Sequence, residues 1–70
     1  MNEYLSEVEV MVVEKLIDRI GIGNFLLGVS VICDLKAEHI AVHWQDLVLS
    51  QRWRSVGNGL ERVATKTGVM

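Results

Sequence analysis

Seventy residues, 50% of them hydrophobic and 23% charged, leave room for one domain and exclude a second: a chain this short buries only about 60% of its unfolded surface, and it is too apolar to stay disordered. The single cysteine, Cys33, excludes an internal disulfide and a C-x-x-C zinc pair, which suits a reducing cytoplasm and leaves the core to packing alone. A net charge of −2 opposes the electrostatic attraction on which nucleic-acid binding depends.

From Met1 to Glu7 there is neither a basic n-region nor a small-residue cleavage site, so no export signal is expected. The first helix is expected over about 6–20. At 100° per residue Leu5, Val10, Val12, Val13, Leu16, Ile17 and Ile20 share an arc of roughly 160°, with Glu7, Glu14, Lys15 and Asp18 opposite and Val8 and Met11 outside it. Ser6 and Glu9 have the spacing of a capping box, in which each side chain satisfies an orphan backbone N–H at the helix start. Gly21-Ile22-Gly23-Asn24 comes next as a tight turn, its first glycine a left-handed stop and Asn24 the cap of the next helix.

The second helix, about 24–43, has two apolar strips. Phe25, Leu26, Val29, Ile32, Cys33, Ala37, Ile40 and Trp44 form one, which the other two helices can cover; Leu27, Val31, Leu35 and Val42 form the other, which they do not obviously reach. A helix apolar on both sides packs on both sides. The longest uncharged stretch, from Ile20 to Cys33, is shorter than the roughly 20 apolar residues of a membrane span, so no transmembrane segment is expected. His43-Trp44-Gln45-Asp46 is expected as the second turn, with Asp46 capping a third helix over about 46–65. There Leu49, Trp53, Val56, Leu60 and Val63 recur at spacings of four and three, a heptad-like seam. Gly57-Asn58-Gly59 interrupts it at about 1 kcal/mol per glycine, a place for the helix to kink or break; from Thr67 the tail is expected to fray.

Charge is distributed unevenly. Glu3, Glu7, Glu9, Glu14 and Asp18 face only Lys15 in the first 18 residues, whereas Arg52, Arg54, Arg62 and Lys66 face only Glu61 after residue 46. Opposed helix ends within one bundle are the cheapest way to balance this asymmetry; antiparallel subunits or an outside partner are the alternatives.

Few residues suggest chemistry. His39 and His43, four apart on a helix, have the spacing of two imidazole ligands, but a zinc centre needs three or four ligands and Cys33 lies roughly 120° away from His39. Lys36, Glu38, His39 and Asp46 could titrate, yet no activated nucleophile, phosphate loop or carboxylate pair accompanies them. No enzymatic activity, cofactor or small-molecule substrate is expected. The basic third helix, with Arg52, Trp53 and Arg54, gives an alternative as a nucleic-acid binder, although Trp53 lies on the apolar seam and is better placed as a core anchor than as a stacking platform. Trp44 is expected to close the second helix, buried.

Leu16-Ile-Asp-Arg-Ile-Gly21, Ile32-Cys-Asp-Leu-Lys-Ala-Glu-His39, Trp44-Gln-Asp46 and Trp53 resemble a group of small uncharacterised helical proteins of bacteria and their phages. The resemblance covers roughly residues 16–64 and implies a short helical domain of the bacterial cytoplasm or of a mobile element, with no activity attached. The expectation is an all-α, three-helix hairpin or small bundle, one domain over 1–70, completed by self-association because small domains without staples need regular packing or a partner subunit. The surface expected to bind a partner comprises Leu27, Val31, Leu35, Trp44 and Trp53 with Arg52 and Arg54; a metal-linked oligomer through His39 and His43 is a further alternative.

Overall fold

A computed structural model describes residues 3–66. Its helices are α1 (Glu7–Ile20), α2 (Ile22–His39, prolonged by a π-helical turn over Ile40–Trp44) and α3 (Leu47–Lys66); among the described residues there is no strand. The fold is all-α with three helices, as the periodicity indicates, and α3 runs unbroken through Gly57 and Gly59. The tail from Thr67 lies outside the described residues.

The capping box at the start of α1 is formed. The Ser6 N–H donates to Glu9 Oε1 at 2.8 Å and the Glu9 N–H donates to Ser6 Oγ at 3.1 Å. The Ser6 backbone N–H, and after it the Ser6 hydroxyl, hydrogen-bonds to the Glu9 carboxylate and holds it below the usual carboxylate range. A depressed folded-state pKa contributes stability above the unfolded value, which disappears as pH falls through the folded one. The first turn of α1 is therefore expected to loosen on acidification through that window. Protection of the Ser6 and Glu9 amides, taken as the exchange rate relative to an unstructured peptide at the same pH, should fall there, and in Glu9→Gln it should stay constant over the same range.

The joint between α1 and α2 is a single residue. Gly21 has φ 87° and ψ 151°, its N–H donates to the Ile17 carbonyl at 2.7 Å, and α2 starts at Ile22. The four-residue turn expected over 21–24 is corrected accordingly: Gly23 is buried inside α2, and Asn24 caps nothing ahead of it. The Asn24 Nδ2 instead reaches back to the Ile20 carbonyl at 2.9 Å and satisfies an orphan acceptor at the end of α1. Glycine can occupy this region of backbone space without the Cβ clash that other residues meet. The result is a bend of 115° between α1 and α2.

α2 and α3 form an antiparallel hairpin, and small residues make its contact. Gly23, Ser30, Cys33 and Ala37 are the buried positions of α2 proper, and Ser50, Gly57 and Ala64 those of α3. Gly23, Ser30 and Ala37 recur every seven residues, as do Ser50, Gly57 and Ala64. The Ser30 hydroxyl donates to the Gly57 carbonyl at 2.9 Å and the Ser50 hydroxyl to the Ala37 carbonyl at 2.7 Å, both buried. This register also sets Gly23 opposite Ala64. Each helix thus gives the other one serine O–H to backbone bond, which requires the backbones to approach closely. The expected seam of Leu49, Trp53, Val56, Leu60 and Val63 is rotated away from this contact: Val56 and Val63 are exposed and the rest half-buried. Small side chains win because helices that touch through glycine, serine and alanine bring far more backbone and neighbouring atoms into van der Waals range than bulky ridges would allow.

The tip of the hairpin also differs from expectation. His43 and Trp44 belong to the π-helical turn, Gln45 alone is left-handed at φ 53°, and Asp46 caps α3, its Oδ1 accepting the Leu49 N–H at 3.0 Å. A π turn takes about one residue more per turn than an α turn and so shifts the phase of the residues beyond it. Trp44, expected on the covered strip, is turned outward and 67% exposed.

Candidate interaction surface

The buried apolar residues of the described chain are Cys33, Ala37, Ile40 and Ala64, and no large side chain is fully enclosed. The chain is one helix layer deep, measuring 36 × 29 × 17 Å. Its radius of gyration of 13.8 Å exceeds the roughly 11 Å of a compact domain of this length. Its accessible surface of 5593 Å² exceeds by about 1,200 Å² the roughly 4,400 Å² usual for a folded monomer of 7.9 kDa. Large apolar side chains are open to solvent in four places.

The far side of α2 presents Val31, Leu35 and Val42, the strip expected to be left open, and Ile32 joins them. Ile32 is thereby corrected from the covered strip: contact through Ser30, Cys33 and Ala37 rotates it out. Leu27 is half-buried rather than open. Trp44, Leu47 and Val48 are exposed around the hairpin tip. Along α3 the displaced seam forms an open groove lined by Leu49, Arg52, Trp53 and Val56, so Trp53 is a half-covered groove wall and not a core anchor. On α1, which has no buried residue, a second groove is lined by Leu5, Val10, Val13, Glu14 and Ile17.

α1 touches α2 and, among the described residues, does not touch α3. The acidic and basic ends of the chain are therefore not matched within it, and opposed helix ends in one bundle do not account for the asymmetry. Arg52 and Arg54 lie about 160° apart around α3, and Arg62 falls on a third side, so the basic residues make no single face for a groove of nucleic acid.

His39 and His43 are exposed, with ring centroids 4.5 Å apart, and line a shallow pocket with Leu35, Glu38 and Val42. No group of three or more His, Cys, Asp or Glu side chains among the described residues is placed to hold a metal ion. Cys33 is buried in the hairpin contact, whereas both histidines are exposed. No single helix of the described residues is long and apolar enough to cross a membrane; α1 and α2 reach that composition only together, across their 115° bend. What sequence reasoning missed was the pair of seven-residue small-residue rows. Their signal is the recurrence of glycine, serine and alanine every seven residues, which the periodicity of bulky apolar residues does not register.

Comparison with protein-family models, curated proteins and solved structures finds no match for this chain.

Proposed function

We propose that the chain is a non-enzymatic helical interaction module that acts as a self-associated assembly, offering its remaining apolar faces to a protein partner. The observation that supports this is the division of labour among its side chains: small residues hold the helices together, while valines, leucines and both tryptophans line open surface. Exposed apolar area of this extent marks association surfaces, where tryptophan and arginine concentrate binding energy. The resemblance to small proteins of bacteria and their phages, and the lone free cysteine, favour a cytoplasmic accessory or regulatory protein as the setting.

Light scattering coupled to size exclusion over a range of micromolar concentrations tests self-association. A dimer or larger assembly is expected, and a monomer throughout overturns the proposal. The closeness of His39 to His43 favours a second form, in which two such pairs from different subunits complete a four-nitrogen zinc site. Zinc should then raise the melting temperature of the wild type and not of His39→Ala with His43→Ala; equal melting curves exclude it.

A further inference from the structure

We infer that the α1 groove of one copy docks on the α3 groove of a second copy, and the reverse, in a closed two-fold exchange. This rests on the self-association proposed above and specifies its interface. The two grooves are alike in character and opposite in charge: each is an apolar trough with one ionic residue on its wall, Glu14 on α1 and Arg52 on α3. The helices also differ in net sign: α1 carries Glu7, Glu9, Glu14 and Asp18 against Lys15 and Arg19, while α3 carries four basic residues against Glu61, of which Arg52 stands on the groove. Within one chain they cannot meet, because the Gly21 bend carries α1 away and it makes no contact with α3.

A standard interface removes about 800 Å² from each partner, and the chain exposes about 1,200 Å² more than a compact monomer of its mass, with exposed apolar side chains on these two grooves, the far side of α2 and the hairpin tip. A reciprocal exchange uses both grooves of both copies and closes the assembly, whereas a one-way contact would leave a groove open at each end and propagate. Like-with-like pairing of α1 with α1 would set acidic helices side by side, and α3 with α3 would do the same with basic ones; α1 on α3 joins opposite signs.

Complementation between two defective chains tests this. Val13→Asp spoils the α1 groove and Val56→Asp the α3 groove, each at a position outside the hairpin contact; circular dichroism confirms that both variants remain helical. Each alone should weaken the dimer about ten-fold or more, by setting a charge in an apolar seam. Mixed in equal amounts, they should form a heterodimer visible by native mass spectrometry, because one of the two exchanged contacts then pairs an intact α1 with an intact α3. The milder pair Glu14→Lys and Arg52→Glu should each weaken the homodimer two- to five-fold and prefer each other over themselves. A wild-type dimer whose Val13→Asp and Val56→Asp variants fail to complement has a like-with-like interface, and one that Val13→Asp leaves unchanged does not use α1; either result overturns the exchange and leaves self-association standing. A wild-type monomer, including one that floats with phosphatidylglycerol vesicles, overturns both.

Discussion

Gly57→Ala is expected to destabilise the hairpin by about 1–3 kcal/mol, although alanine is the better helix former. A Cβ at residue 57 would stand 3.1 Å from the Cys33 Cβ, 3.2 Å from the Ser30 carbonyl oxygen and 3.4 Å from an Asp34 carboxylate oxygen. The first two atoms are fixed to the backbone of α2, so the helices themselves must separate. Separation also lengthens the bond from the Ser30 hydroxyl to the Gly57 carbonyl, 2.9 Å in the native pair, and a buried hydroxyl left without its partner costs about 1–3 kcal/mol. Gly59 supplies the control. Two residues further along the same helix, a Cβ there meets nothing within 4 Å, so Gly59→Ala should gain about 0.5–1 kcal/mol from backbone entropy alone. Gly28→Ala on α2, equally open, should behave in the same way. Urea denaturation at a single chain concentration separates these outcomes, since any association adds a concentration-dependent contribution to apparent stability. Equal effects at 57 and 59 would mean that the helices do not touch through Gly57.

The three helices were legible because their signals are local. The Ser6 and Glu9 capping box and the Asp46 cap are formed by the side chains that the sequence nominates, and the far strip of Val31, Leu35 and Val42 is open as its phase on α2 indicates. The way the helices pair was not legible from bulky residues. Periodicity weights large apolar side chains, and on α3 these select Leu49, Trp53, Val56, Leu60 and Val63 as the buried seam. The native contact turns instead on Ser50, Gly57 and Ala64, whose burial contributes little per residue and whose value lies in letting two backbones come close. Rotating α3 onto them leaves Val56 and Val63 of the expected seam exposed and the other three half-buried, and it is this rotation that turns core candidates into interface candidates. Trp44 was misplaced for a different reason: the phase of a helix can be projected only while its pitch is constant, and the π-helical turn at Ile40–Trp44 changes the pitch just before it. Cooperative packing decides such a turn, and no pattern in the five residues themselves announces it.

Gly21→Ala should change the shape of the molecule more than any other single substitution. At φ 87° and ψ 151° an L-residue meets a clash worth about 1–3 kcal/mol, and it can escape by turning into the right-handed region. Helical geometry at residue 21 would give the backbone N–H groups at the start of α2 partners in the last turn of α1, and alanine adds about 1 kcal/mol of propensity over glycine in the same direction. Against these stand the bond from Asn24 Nδ2 to the Ile20 carbonyl, which is exposed and worth about 1 kcal/mol or less, and the contact of α1 with α2, slight beside that of α2 with α3 and without a buried residue on α1. The balance favours straightening. α1 and α2 should fuse into one helix from Glu7 to Trp44, about 57 Å long at 1.5 Å per residue, against a longest dimension of 36 Å in the native chain. Small-angle scattering or a spin-label distance between residues near 8 and 38 would report the change directly. D-alanine at position 21, placed by chemical synthesis, is the matching control, because its inverted chirality accepts a positive φ and should retain the bend. An unaltered maximum dimension in Gly21→Ala would mean that contacts along α2 hold α1 in place. Retention of shape with D-alanine and its loss with L-alanine would assign the 115° bend to the backbone of one residue.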